Sequence, residues 1–499
     1  MDLLPSIPLF SIFLAMLAGF VSALLPNGRQ ARLLTSLAAG AVTVLSGVLT
    51  LELTLAGESF SFSMGHFPAP WGNALRAGPS EGLLAGVYAA VTLLSVEGGA
   101  DQTFSELTPA RQPLYFSVLN LLFGAMLALL YTNDLFTAYV FLEVSTLAAC
   151  AMILAKDKGE SLLETLRYLV MYLVGSGFFL LGVALLYSVT GHLLMEPLGS
   201  AVGELAARGE YPVTLAVALW FLALGLMMKS AVFPFHSILP GAHSAAVTTS
   251  SAILSGLLLE IYLILLIKIL LRVGTTTVAA SLHLYDGMLL FGVAALLGGS
   301  LCALGERDLK RLLAYSSAAQ VGYLYVGLGL GTAAGMTAAL FHLICHAFTK
   351  SLLFVCAGRL IKVSGHRRSM SALRGAAHRD KMAGVGFTLG SVSLVGAPLL
   401  ACFASKLYLA QSAMDGTWRM FWALGSLGAG MVLGALYLLP VVAVLWAEQE
   451  NAEARAEKPE RGKPQWAFAV TTVLQMGANL ALGLAHTPLV SILALGLAN

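Results

Sequence analysis

The sequence predicts an all-α polytopic membrane protein, and three observations carry that prediction. Of its 499 residues, 58% are hydrophobic and only 11% are charged, whereas soluble domains are roughly a quarter charged. Mean hydropathy is +0.84. The apolar residues are gathered into runs of about 20, the length a helix needs to cross the hydrocarbon layer. No segment reads as a soluble domain, so the energy for any transport must come from an ion gradient or from other subunits.

About 14 such runs can be marked at that length. They lie near residues 5–25, 33–55, 81–97, 113–131, 134–154, 163–189, 212–234, 247–271, 285–304, 311–330, 333–360, 383–412, 420–446 and 467–494. The first follows MDLLPSIPLF, which has an acid and two prolines where a secretory signal has basic residues, so this run is expected to be retained. Loops between an odd-numbered run and the next carry most of the Lys and Arg. The others hold only Arg76, Arg208, Arg272 and Arg419. The positive-inside rule then predicts odd loops in the cytoplasm, both termini outside, and a multi-pass protein of the cell's inner membrane. The basic loop KVSGHRRSMSALRGAAHRDK and the linker EQENAEARAEKPERGKP read as topology signals and solvated connections.

Net charge is +2, and no nucleic-acid partner is expected. Cys150, Cys302, Cys345, Cys356 and Cys402 all fall in apolar runs without CxxC spacing, against a zinc site, an iron–sulfur site or disulfides. His342-x-x-Cys345-His346 has ligand residue types, but no metal and no cofactor is expected, and no redox chemistry on this chain.

Ionisable side chains inside apolar runs are the informative feature. Each costs on the order of 3 kcal/mol at the bilayer centre on insertion scales, and such residues usually mark ion pathways. Here they are Glu143 in FTAYVFLEVSTLAAC, Lys229 in LMMKSAVFPFH, Glu260 and Lys268 in SGLLLEIYLILLIK, His342, His346 and Lys350 in LFHLICHAFTKSLLF, and Lys406 in ACFASKLYLA. Lys268 and Arg272 close a run and read as interfacial anchors. Glu143 reads as the partner of a buried lysine, structural or switching. His342, His346 and Lys350, spaced i, i+4, i+8, share one helix face. A stacked row of titratable groups suits a relay better than packing.

Two lysines stand beside prolines. Lys229 precedes Pro234, and Lys406 follows Pro398 in VGAPLLACFASK. Proline frees carbonyls, and broken helices survive in a bilayer only where protein or water surrounds them. Interrupted helices at corresponding points of two halves point to a transporter's central site. Lys229 lies on the seventh run and Lys406 on the twelfth. A repeat of five helices is odd in number, so its second copy must be inverted in the membrane. A lysine at such a break can hold a proton that water reaches, and a carboxylate moving towards or away from it changes its charge state.

The sequence resembles the antiporter-like subunits shared by respiratory complex I, Mrp-type cation/proton antiporters and energy-converting membrane hydrogenases. The likeness runs over about residues 110–410, through QPLYFSVLNLLFGAMLALLYTNDLFTAYVFLE, KSAVFPFHSILPGAH, ERDLKRLLAYSSAAQVGYLYVGLGLG, FHLICHAFTKSLLFVCAGRLI and GAPLLACFASK in order. It implies three N-terminal helices (1–112), a first five-helix repeat (113–272), an inverted second repeat (284–446), and a linker with the last helix (447–499). It also implies that Glu143 pairs with Lys229, that His342, His346 and Lys350 belong to a central axis, and that Lys406 faces an outlet half-channel. His236 and His243 match positions beside the broken seventh helix, as relay members or backbone caps. Partners would be other membrane subunits of an Mrp-type or complex I/hydrogenase-like assembly, the bilayer, and protons or sodium ions. Overall size resembles the D subunit of Mrp antiporters and its hydrogenase counterparts.

Two departures stand out. Glu260 occupies a place where relatives usually carry Lys or His, with Lys229 or Lys350 expected beside it. The stretch HSAAVTTSSAIL lacks the prolines usual before the eighth helix. A stand-alone solute transporter would need a recognition pocket, and none is visible. A non-conducting structural subunit would not need Glu143, Lys229 and Lys406 together.

Overall fold

In this computed structural model, residues 4–64, 73–156, 159–448 and 466–498 are described. Most of the linker EQENAEARAEKPERGKP lies outside them. The helices are α1 (Ile7–Leu24), α2 (Gly28–Ala56), α3 (Pro79–Gly98), α4 (Gln112–Tyr131), α5 (Leu135–Leu154), α6 (Gly159–Thr190), α7 (Pro212–Lys229) and α8 (Thr248–Arg272). They continue with α9 (Leu284–Gly305), α10 (Leu309–Gly329), α11 (Ala333–Lys362), α12 (Lys381–Val395), α13 (Ala401–Ser412), α14 (Trp418–Trp446), α15 (Trp466–Leu484) and α16 (Thr487–Ala498). The chain is an all-α polytopic membrane protein, with one small antiparallel hairpin, β1 (Phe60–Ser63) on β2 (Ala74–Ala77).

Among the described residues, 12 helices are long and apolar enough to cross a membrane. The predicted runs differ from these in four places, each with a local cause. The tenth is α10, 21 residues long, but Ser316, Ser317, Gln320, Tyr315, Tyr323 and Tyr325 dilute its apolar character, as do Lys310 and Arg311 at its start. The seventh does not reach residue 234: α7 stops at Lys229, Ala231 turns into the left-handed region (φ 53°), and Pro234 follows. The twelfth divides into α12 and α13 around Gly396, Pro398 and Leu399, the last at φ 72°. The fourteenth, 467–494, divides into α15 and α16, where Pro488 can start a helix but not continue one.

Helix starts follow ordinary capping chemistry. Asp134 accepts from Thr137 N at the start of α5, and Asp308 accepts from Lys310 N and Arg311 N at the start of α10. The eighth helix starts without proline: Ala246 and Val247 are extended (ψ 156° and 151°), and Thr248 begins α8. Inside α8, Leu254–Leu258 form a π-helical turn. Gly256 in that turn lies against Ala347 O and Lys350 Cβ of α11.

Burial sorts the bundle. The apolar stretch of α8 is fully buried and that of α11 94% buried, whereas α14 and α15 bury a third of theirs. A helix that is apolar all round belongs at the centre. Most of the candidate residues sit on or against α8 and α11. A close crossing sets α7: Gly225 meets Gly175 of α6, where a Cβ on Gly225 would lie 2.5 Å from Gly175 O. Small residues let backbones approach in this way, and the approach brings Lys229 inward.

Candidate functional site

Lys229, the last residue of α7, is fully buried. Its Nζ donates to Thr146 Oγ1 at 2.7 Å and lies 4.0 Å from Glu143 Oε1. The rings of Tyr172 and Tyr262 stand 5.4 and 5.7 Å from the ammonium, placed to attract a cation through their faces. Glu143 is not sealed, with 22% of its side chain exposed. The backbone after Lys229 is held by Ser230, whose hydroxyl pairs with Tyr325 OH at 2.8 Å.

At the centre of the molecule Glu260 Oε1 is hydrogen-bonded to His346 Nδ1, and both side chains are fully buried. The neighbour of Glu260 is thus an imidazole, where the sequence suggested Lys229 or Lys350. The cause is register: residues 260 and 346 face each other where the π-helical turn lays α8 on α11.

The row on α11 then divides. The rings of His342 and His346 run nearly parallel, with centroids 6.5 Å apart. His342 Nε2 lies 3.2 Å from Gln320 Oε1, and its Nδ1 is 2.8 Å from Ser405 Oγ. An amide oxygen only accepts, so Nε2 carries the proton in this contact. Ser405 adjoins Lys406 in sequence. Lys350 points away from this line, donating to Leu313 O at 2.8 Å and to Ser316 Oγ of α10.

Lys406 Nζ donates to Leu394 O at 2.7 Å and to Val395 O at 3.2 Å. These are carbonyls that the break after α12 leaves without helical partners. The Tyr323 ring lies 4.5 Å from Nζ, and the same ring is 5.4 Å from His342. A run of polar groups therefore extends from Glu260 through His346, His342 and Ser405 to Lys406.

His236 and His243 stand apart from that run. His236 stacks on Phe233 with Nε2 3.8 Å from Cys302 Sγ. His243, in the short helix Leu239–Ala245, stacks on Phe354. Neither shares a hydrogen bond with Lys229 or Lys350 among the described contacts. The five cysteines are free thiols, and no three His, Cys, Asp or Glu residues converge on a metal-sized site among the described residues.

The anchor reading of Lys268 is overturned. Lys268 is buried and donates to Leu130 O at 2.7 Å and Thr132 O at 2.6 Å, at the C-terminal end of α4. Helix C-termini expose acceptors and carry partial negative charge, so the ammonium is a cap inside the protein and not a lipid-facing anchor. Arg272 one turn on binds Glu81 at 2.7 Å.

Several participants escaped sequence reasoning. Thr146, Gln320 and Ser405 are polar residues in apolar runs, a signal that was present but shared with many Ser and Thr residues there. A second group lies at the odd-loop end. Glu106 pairs with Lys156 at 2.5 Å and accepts from Thr248 at 2.8 Å, while buried Lys310 donates to Ala246 O at 3.0 Å. Together with Ser244, Arg368 and His366 they line a cavity of about 400 Å³.

Comparison with known proteins places this geometry in a family. Residues 132–432 match the NADH:quinone oxidoreductase/Mrp antiporter transmembrane family. The N subunit of the NADH-quinone oxidoreductase of Desulforudis audaxviator is 34% identical over 428 residues, covering 85% of this chain and 83% of that protein. The D subunit of the Na⁺/H⁺ antiporter of Bacillus subtilis is 28% identical over 380 residues, 76% of this chain and 75% of that one. Among solved structures, a chain of the Mrp complex from a Dietzia species superposes with a TM-score of 0.87 at 21% identity, covering 100% of this chain and 98% of that one. A chain of the archaeal membrane-bound sulfane sulfur reductase gives 0.85 at 24% identity, covering 99% and 96%. From the match over the central helices and the relative in Desulforudis, this chain belongs to the NADH:quinone oxidoreductase/Mrp antiporter transmembrane family, as an antiporter-like membrane subunit.

Proposed function

We propose that this chain carries protons across the membrane within a multi-subunit complex, along Glu143–Lys229 and then Glu260, His346, His342 and Lys406. The observation that carries the reading is the buried line of hydrogen-bonding groups from Glu260 to Lys406. Proton transfer needs groups within hydrogen-bond reach of each other or of one bridging water; this line has direct contacts at Glu260–His346 and His342–Ser405, and needs water between His346 and His342 and between His342 and Lys406. A site for a hard cation would surround Glu260 with several oxygens. Its partner is an imidazole, which favours a proton over sodium. The driving force is assigned to partner subunits or to an opposing ion gradient.

The two breaks support the arrangement as inverted five-helix repeats (113–272 and 284–446), each contributing a half-channel. The odd loops face the cytoplasm and both termini face outside, in line with the basic residues around the cavity of Glu106 and Lys310. Lys350 faces that end and serves an inlet branch. The test is proton flux in proteoliposomes containing the whole complex. Lys229→Ala and Lys406→Ala should each abolish flux with assembly intact; normal flux in both would remove the route.

A further inference from the structure

The last long helix lies outside both repeats, yet it reaches into the break that holds Lys406. Asn479 of α15 is fully buried. Its Oδ1 accepts from Ser393 Oγ at 2.9 Å and lies 2.7 Å from Thr349 Oγ1, whose single proton it shares with Cys345 O, also at 2.7 Å, and its Nδ2 donates to Gln475 O at 3.0 Å. One amide thus joins α11 and α12. Thr349 directly precedes Lys350. Ser393 directly precedes Leu394, whose carbonyl receives Lys406. Thr349 Oγ1 is also 3.7 Å from Cys402 Sγ of α13, so the far side of the break is drawn to the same point.

A second observation is independent of these bonds. Gly483, one helical turn beyond Asn479, lies directly on the break: a Cβ there would be 2.1 Å from Leu399 O. Leu399 is the residue with positive φ. Gln475, one turn before Asn479, donates to Ser351 at 2.5 Å. Residues 475, 479 and 483 share one helix face, so α15 lies along the break with a polar, close-packed edge although most of its surface is exposed.

We propose that Asn479 is a positioning residue for ion transfer: it holds the end of α12 on α11 and so fixes where Lys406 meets its carbonyl partners. This rests on the reading of Lys406 as part of the route. Released carbonyls in a membrane interior must be satisfied locally, and Lys406 satisfies two of them. A shift of α12 by one rotamer's reach would alter that contact and the approach to Ser405 and His342. Asn479 touches none of the transferring groups; it acts through Ser393 and Thr349.

The test is proton flux and its pH profile in proteoliposomes holding the whole complex. Asn479→Leu keeps the γ-branched shape and removes the one amide oxygen that receives both bonds. It is expected to lower flux about fivefold at full assembly, the worth of one hydrogen bond between neutral groups, and to displace the pH profile by on the order of one unit. Combining it with Ser393→Ala should give less than the product of the two losses, because both act on one contact. Wild-type flux and profile overturn the proposal, as does lost flux with an unmoved profile, which loosened packing alone would give. Should Asn479→Leu not assemble, Thr349→Val with Ser393→Ala removes the same two bonds; it is expected to show the same loss and displacement, and an unmoved profile overturns the proposal. Lys406→Ala measured alongside separates the readings. Normal flux in Lys406→Ala removes the route itself, whereas lost flux there with wild-type behaviour of Asn479→Leu removes only the positioning role.

Discussion

Glu260 and His346 are bonded side chain to side chain, both fully buried, on α8 and α11. A carboxyl and an imidazole so placed can pass a proton between them. Burying either one charged and alone would cost far more than burying the pair.

Glu260→Gln keeps a hydrogen-bonding group against His346 but removes the proton-holding carboxyl. Flux is expected to fall roughly a hundredfold, the usual range for a lost proton-transfer group, with the complex assembled. Glu260→Lys should conduct better than Glu260→Ala. Fluorescence-quench assays in proteoliposomes decide it; normal flux in Glu260→Ala would place the residue outside the pathway.

Thr146 is the nearer partner of Lys229, at 2.7 Å against 4.0 Å for Glu143. Thr146→Val should slow flux about tenfold, the worth of a hydrogen bond to a charged group, without abolishing it. Glu143→Gln should abolish it. Equal effects from the two variants in a single flux assay would remove the distinction between positioning hydroxyl and switching carboxylate.

Lys268→Met should act on stability and not on conduction. Its ammonium holds carbonyls at the end of α4, and leaving them unpaired costs about 2–3 kcal/mol. Thermal unfolding of the solubilised complex should show the loss, while flux per assembled complex stays unchanged. A flux defect at full assembly would return Lys268 to the conducting groups.

Glu106 links the odd-loop cavity to acid stability. Burial alone would raise its carboxyl, but Lys310 and Lys156 beside it outweigh burial and hold it below the ordinary 4.5. A lowered folded value stabilises above the unfolded value, and the contribution is lost as pH falls through the folded one. The gap in thermal stability between wild type and Glu106→Gln should therefore close as pH falls below about 5. A gap that widens in acid would contradict the assignment.

The class of the protein and the candidate residues of the route were legible in the chain of amino acids alone. Apolar runs long enough for a bilayer located the helices, and Lys229, Glu260, His342, His346, Lys350 and Lys406 were conspicuous because charge in such runs is costly. The proline positions told where the helices break, though not that α7 ends on Lys229 itself. Which group meets which came from packing. Whether Glu260 meets a lysine or His346 depends on the register of α8 on α11, which a π-helical turn shifts without a sequence signature as plain as proline. Lys268 looked like an anchor because periodicity cannot tell a helix end at the lipid surface from one covered by the end of α4. Thr146, Ser405 and Asn479 were illegible for a different reason. Ser, Thr and Asn are tolerated in many membrane helices, bonding to their own backbone, and only the packing of other helices gives one of them a partner that matters.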